Sequence, residues 1–312
     1  MSARIVISEF MDTPAVERLK GTYEVDYRPA LVDDPAALAA AVANADAWIV
    51  RNRTQVRGAT LAQAARLRVV GRLGVGLDNI DVDACESRGI TVIPATGANA
   101  DSVAEYVIAT AMILLRGAGY LSTAAVASGR WPRQMLSQGR DLTGKVLGLV
   151  GFGGIGRLTA RKITPLGVRV IAHDPLLGPD APAWKEQRVE RRTLEQLLAE
   201  ADVVSLHIPL TPSTRNLLNA ERLALMKRGA ILINTARGGV IDEAALAAAL
   251  QEGRLGAAAL DVFDEEPLPA GNPLAGAPNV LLTPHIAGVT IESNERVSAL
   301  IADRVAEFLS ST

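Results

Sequence analysis

Three residues are of the type whose ordinary pKa lies near neutrality, His173, His207 and His285, and these are the residues best suited to move a proton under ordinary conditions. A second set suits phosphate: Gly151-Phe152-Gly153-Gly154-Ile155-Gly156. Alone, a GxGxxG pattern is often only a tight turn. This one follows the apolar run Val146–Val150 and opens a helical segment over Ile155–Leu166. In that setting Gly151 allows the turn, and Gly153 lets backbone approach a pyrophosphate. Gly156 permits close packing of helix on strand, with the positive helix end facing the phosphates. Asp174 lies 18 residues beyond Gly156, after the next predicted strand, near the roughly 20 expected of a carboxylate that binds ribose hydroxyls. A carboxylate there repels a 2′-phosphate, so the unit reads as a site for NAD rather than NADP.

Hydride chemistry with such a cofactor also needs a group to take a proton and a cation to polarise a carbonyl. His173 adjoins Asp174, at the adenosine end and away from the chemistry. His207 and His285 both fall at the carboxyl ends of predicted strands, where ligands bind in doubly wound sheets. Spacing does not choose between them, and a structural role suits either. The histidines are too scattered for a zinc-type cluster, so no metal is expected. Cys85, the one cysteine, has no Cys–His context and reads as a small buried side chain.

The bulk properties narrow the partners. With 32 basic and 34 acidic side chains, there is no electrostatic reason to expect nucleic acid or an anionic membrane. Met1–Met11 has only the short apolar stretch Ile5–Ile7, unlike a secretory signal. The longest apolar run, Tyr106–Leu115, falls short of the roughly 20 residues that span a bilayer. A single cysteine fits a reducing compartment. The expectation is a soluble cytoplasmic protein.

The elements that must position these residues alternate along the chain. Strands are predicted at Arg4–Ser8, Ala47–Val50, Val69–Gly71 and Thr91–Ile93, with helices around Pro14–Lys20, Pro35–Ala43, Leu61–Ala65 and Val82–Arg88. A long helical stretch, Asp101–Ser128, interrupts the pattern. A second series has strands at Lys145–Val150, Val168–Ala172, Val203–His207, Ala230–Asn234, Ala257–Leu260 and Val280–Leu282, then a helix over Glu292–Leu309. Such alternation argues for βαβ units and two doubly wound parallel-sheet domains, with a boundary near Asn99–Asp101. Periodicity does not say where the last helix packs.

Three further segments carry a family likeness: Asn234-Thr235-Ala236-Arg237-Gly238-Gly239, Leu260-Asp261-Val262-Phe263-Asp264-Glu265-Glu266-Pro267 and Thr283-Pro284-His285-Ile286-Ala287-Gly288. With the glycine turn and Asp174, the chain resembles the D-isomer-specific 2-hydroxyacid dehydrogenases over essentially its whole length. The resemblance implies a catalytic triad of Arg237, Glu266 and His285. His285 would be the acid/base, Glu266 would favour its charged form and raise its pKa, and Arg237 would hold the substrate carboxylate and carbonyl oxygen. It implies a flavodoxin-like substrate domain of residues 1–99 and 287–312, interrupted by a Rossmann NAD domain of residues 100–286. An active site between the two and a homodimer formed through the NAD domain are also implied. Implied NAD contacts are Gly151, Gly153, Gly154, Ile155, Gly156, Asp174, Ile208, Thr235, Asp261 and Gly288. Backbone N–H groups of Val75 and Gly76, in Gly71-Arg72-Leu73-Gly74-Val75-Gly76-Leu77-Asp78-Asn79, would bind the substrate carboxylate. Many members carry arginine where this turn has Gly154, a departure that bears on pyrophosphate binding.

Arg51 and Arg53 follow a predicted strand, and Arg72 stands at the end of the next. They are either solvated surface arginines or a cationic pocket for a second substrate anion, phosphate or sulfonate. The surroundings of Arg51 look like phosphoglycerate dehydrogenases, and Ile7-Ser8-Glu9-Phe10-Met11-Asp12 looks like sulfolactate dehydrogenases of the same family. The regulatory extension of long phosphoglycerate dehydrogenases does not follow the last helix. A glyoxylate or hydroxypyruvate reductase is the alternative within the enzyme class. An NAD-sensing corepressor is the alternative outside it, although all three triad positions are filled.

Overall fold

The computed structural model describes residues 2–117 and 122–311. They form two compact units, one joining Met1–Asn99 to Val289–Thr312 and the other comprising Ala100–Gly288.

The first unit holds five parallel strands: β1 (Arg4–Ile7), β2 (Glu24–Tyr27), β3 (Ala47–Val50), β4 (Val69–Arg72) and β5 (Thr91–Pro94). Their spatial order is β2-β1-β3-β4-β5, the flavodoxin-like arrangement. Side chains alternate between two cores. Ile5, Ile7, Ala47 and Ile49 enter one, while Val6, Trp48 and Val50 enter the other. Burial on both faces is why these strands read as unbroken apolar runs. The first core is closed by the helix Ile291–Ser310 through Val297, Ile301, Ala302, Val305 and Leu309, spaced along one face. Gly71 on β4 makes that approach possible. A Cβ there would stand 2.7 Å from Ile301 Cγ2 and 2.9 Å from Val305 Cγ2.

The second unit holds β6 (Val146–Val150), β7 (Arg169–His173), β8 (Glu190–Arg191), β9 (Val203–Leu206), β10 (Ile231–Asn234), β11 (Ala257–Leu260) and β12 (Val280–Leu282). All are parallel, in the order β12-β11-β10-β9-β6-β7-β8. Leu147 and Leu149 pack with Val107, Ala111 and Leu115 of the helix Ala100–Arg116, and Val150 packs with Leu197 and Leu198 on the other face. In each sheet the chain reverses its direction of winding once, between β1 and β3 and between β6 and β9. Loops at such switch points form the ligand crevices of doubly wound sheets. No helix of the described residues is long and apolar enough to cross a membrane.

Several boundaries differ from the sequence-based expectation. The helix expected over Asp101–Ser128 ends at Arg116, followed by Gly117 at φ +58°, a left-handed position that stops a helix. A short helix follows at Thr123–Ala127, and residues 118–121 of the expected span lie outside the described residues. The helix after the glycine turn runs over Gly154–Ile163 and tightens into a 3₁₀ turn at Thr164–Leu166, where Pro165 has no N–H to continue an α-helical ladder. Strands β2 and β8 were not expected. Both are short sheet-edge segments with charged residues, Glu24 and Asp26 in one and Glu190 and Arg191 in the other, so neither shows an apolar run.

Candidate active site

His285 lies in the loop after β12 with its backbone at φ +56°, a left-handed conformation that costs a non-glycine residue about 1 kcal/mol or more. The loop is held there from Asp261, a buried residue just beyond β11. Asp261 O accepts from His285 N at 2.9 Å. Its Oδ1 accepts from Thr283 Oγ1 at 2.6 Å and Ile286 N at 2.7 Å, and Oδ2 accepts from Ala287 N at 2.7 Å. Because the Thr283 hydroxyl donates to a carboxylate, Tyr106 OH must be the donor in its 2.6 Å contact with Thr283 Oγ1. The loop is therefore fastened to Asp261 on both sides of His285, through the Thr283 hydroxyl before it and the Ile286 and Ala287 N–H groups after it.

The His285 ring meets Glu266, with Nδ1 2.8 Å from Glu266 Oε2, and Glu266 Oε1 accepts from Phe263 N at 3.2 Å. A carboxylate only accepts, so Nδ1 carries the hydrogen and Nε2 of the neutral ring keeps its lone pair. Burial opposes ionisation of Glu266. The hydrogen bond and charge of His285, the Phe263 N–H and the charge of Arg237 outweigh it and hold the carboxyl below its ordinary range. Glu266 thus stays anionic through neutral pH, facing the Nδ1–H of the His285 ring.

The pairing gives a testable consequence. Glu266→Gln keeps the shape but removes the charge that orients the ring, and it is expected to lower kcat/KM for oxidation. Steady-state kinetics measure this, and an unchanged kcat/KM removes Glu266 from the role.

Arg237 comes from the loop after β10. Buried Asn234 staples that loop, accepting from Ala236 N at 3.0 Å and donating to Arg237 O at 2.9 Å. Gly238 passes so close to the Phe263 carbonyl that no Cβ fits, which brings the Arg237 and Glu266 loops together. The other histidines are engaged differently. His207 Nε2 lies 3.0 Å from Ser205 Oγ, and desolvation pulls its pKa down to about 4. His173 Nδ1 lies 3.2 Å from Arg192 O. Among the described residues, His285 is the one histidine paired with a carboxylate.

The glycine turn and its surroundings fit NAD. Gly151 has φ +95°, and a Cβ there would strike His207 O, while one on Gly156 would strike Gly151 O. Gly153 and Gly154 have nothing within 4 Å of a Cβ position, so space for a pyrophosphate lies in front of them. The helix Gly154–Ile163 begins without a side-chain cap or an acidic residue in its first turn, which leaves its N–H groups for an anion. Asp174 accepts from Phe152 N and Leu176 N, both at 2.9 Å, and is thereby tied to the turn. Ile208 lies against Gly151. Thr235 Oγ1, beside Ala236 and Arg237, is buried without a hydrogen-bond partner in the protein, an orphan a ribose or amide group would satisfy. The carboxylate of Asp261, by contrast, already serves the His285 loop.

In the first unit the three arginines separate. Arg53, on the surface, pairs with Asp33. Arg72 Nη1 donates to Leu73 O at 3.1 Å. Arg51 is half-buried and bonds Asn294 Oδ1 at 2.8 Å. Among the described residues no protein acceptor takes the N–H of Val75 or Gly76. Sequence reasoning missed Glu9, Asn79, Tyr106 and Asn294. For Glu9 the available signal was an acid placed directly after the apolar run Ile5–Ile7.

Residues 108–287 match the family model described as D-isomer specific 2-hydroxyacid dehydrogenase, NAD binding domain. The chain is 54% identical over 302 residues to an (S)-sulfolactate dehydrogenase of Chromohalobacter salexigens, covering 96% of each. It is 37% identical over 307 residues to a D-3-phosphoglycerate dehydrogenase of Methanocaldococcus jannaschii, covering 98% of this chain but 57% of that one. The crystal structure of the TT0316 protein of Thermus thermophilus superposes with a TM-score of 0.89 at 36% identity, over 99% of this chain and 97% of the other. The chain belongs to the D-isomer-specific 2-hydroxyacid dehydrogenase family and is an NAD-dependent oxidoreductase acting on the CH–OH group of 2-hydroxy acids.

Proposed function

We propose that the substrate is a three-carbon D-2-hydroxy acid with a second anion at C3, a sulfonate as in (S)-sulfolactate. The observation that carries this is Arg51, half-buried at the end of β3 with a neutral hydrogen-bond partner. The 54% identity to a sulfolactate dehydrogenase supports it. In this reading residues 1–99 and 287–312 serve the substrate and residues 100–286 serve NAD. Val75 and Gly76 N–H groups bind the substrate carboxylate, and Arg237 pairs with the carboxylate and the C2 oxygen. His285 Nε2 takes the C2 hydroxyl proton in oxidation and returns it in reduction, while Glu266 stabilises the imidazolium. Bound NAD supplies the hydride acceptor. Gly288, Ile208 and Thr235 join the glycine turn in holding it, and Asp261 has one acceptor direction left for it.

The test is kcat/KM across 3-sulfolactate, 3-phosphoglycerate, glycerate, lactate and the corresponding oxo acids, in wild type and in Arg51→Ala. The C3-anionic acids are expected to lead. Arg51→Ala should cost them about 10- to 150-fold more than it costs lactate, the range for a charge-assisted hydrogen bond. A wild-type enzyme that prefers lactate or glyoxylate refutes the reading and moves the assignment to a simple reductase.

A homodimer through the Ala100–Gly288 unit completes the proposal. Trp131 and Met135 are 77% and 73% exposed, apolar surface of the kind a partner covers. Sedimentation at micromolar concentration tests it. A cytoplasmic location accords with the lone, buried Cys85.

A further inference from the structure

We infer that Asn294 is a specificity-determining residue, holding Arg51 with a neutral acceptor so that its positive charge remains available to the C3 anion. The inference rests on the substrate reading above.

Arg51 sits at the switch point of the five-stranded sheet, in the loop after β3, facing the loop after β1. That loop is built rather than merely exposed. Buried Glu9 accepts from Arg51 N at 2.8 Å, Thr54 N at 2.9 Å and Arg53 N at 3.1 Å. From the other side, Asn79 Nδ2 donates to Arg51 O at 3.1 Å and Thr54 O at 2.7 Å. The one nearby acid is thus occupied with backbone and makes no hydrogen bond to the guanidinium.

The guanidinium is held separately. Nη2 donates to Asn294 Oδ1 at 2.8 Å, and Cζ stands 5.8 Å from the centroid of the Phe10 ring. Asn294 lies in the first turn of the helix Ile291–Ser310, where Thr290 supplies the cap by accepting from Ser293 N at 3.0 Å. A guanidinium has five N–H donors in a planar fork. One is used by a group without charge, which fixes the fork without adding a second carboxylate, while Glu9 attracts the guanidinium through space and does not bond it. Partial burial removes some of the water that would otherwise solvate it, so an arriving anion meets a stronger field than at the surface. Arg53 shows the opposite arrangement. It is paired with Asp33, both groups are more than half exposed, and its charge is cancelled where it stands. A tetrahedral sulfonate, with one charge spread over three acceptor oxygens, matches a planar fork whose bonded partner is neutral.

Two variants separate charge from scaffold. Asn294→Asp keeps the size and the acceptor but places a negative charge on Arg51. Asn294→Ala removes the acceptor alone. The readout is the ratio of kcat/KM for 3-sulfolactate to that for lactate. Asn294→Asp should lower this ratio by about 10- to 150-fold, as loss of a charge-assisted bond does, and Asn294→Ala by roughly 2- to 10-fold. A merely structural role predicts the reverse order, because aspartate accepts the same bond from Arg51. A ratio for Asn294→Asp at or above that of Asn294→Ala overturns the inference. Should Asn294→Asp not fold, an unchanged ratio in Asn294→Ala overturns it by itself. A wild-type ratio near one removes the substrate reading and this inference together, and is seen before any variant is made.

Discussion

Replacing His285 by alanine is expected to lower kcat by about 10²- to 10⁴-fold, the usual contribution of a positioned acid/base. NAD affinity should hold, because the ring's partner is Glu266 and the phosphate-binding turn lies elsewhere in the unit. The comparison that matters is His207→Ala. His207 directly follows β9 next to the glycine turn, and it bonds Ser205 with its pKa drawn down to about 4 by desolvation. Its ring is neutral across the working range and would make a poor proton donor in the reduction direction. Its loss should disturb the turn and the KM for NAD more than the chemical step. Steady-state kinetics of both variants, with NAD binding followed by fluorescence, decide the matter. Should His207→Ala abolish turnover while His285→Ala keeps most of it, the proton-transfer role belongs to His207.

NAD should exceed NADP in kcat/KM by about 10²- to 10³-fold, since juxtaposed like charges cost several kcal/mol. Asp174 is fixed by two backbone N–H groups, from Phe152 and Leu176, and cannot easily swing away from a 2′-phosphate. The nearby cation Arg192 is committed to Glu190 at 2.6 Å and Glu200 at 2.8 Å, so it offers little compensation. Asp174→Ala should narrow the gap chiefly by improving NADP. Equal rates with both cofactors in the wild type would sink the assignment of Asp174 to the ribose.

Features whose cause is local were the legible ones. Strands such as β3 and β11 are buried on both faces, so an unbroken apolar run marks them from end to end. The glycine turn is equally local, because strand, turn, helix and carboxylate follow one another within about thirty residues, as that motif requires. Helix ends were less legible where a left-handed glycine or a proline ended them. The choice between His207 and His285 lay beyond spacing, since both follow strands. What separates them is the carboxylate 19 residues from His285 and the desolvation of His207. Asn79, Tyr106 and Asn294 were invisible for one shared reason. Each acts on a segment brought to it only by the fold, as with Arg51 and Asn294, 243 residues apart, and Tyr106 and Thr283, 177 residues apart.

The helix Ile291–Ser310 is synthesised long after the five strands whose sheet it covers on one face. Ala100–Gly288 is continuous in sequence and needs nothing later to finish its own two cores. The core around Ile5, Ile7, Ile49 and Val69, which Ala15, Val16 and Leu19 cover in part, is closed only when Ile301 and Val305 settle over Gly71. The entropy of closing so long a loop grows only slowly with its length, so the finished unit suffers little. The nascent chain bears the burden, because an unfinished apolar sheet is the species that aggregates or recruits chaperones. The first unit is therefore completed only after the middle of the chain has been made.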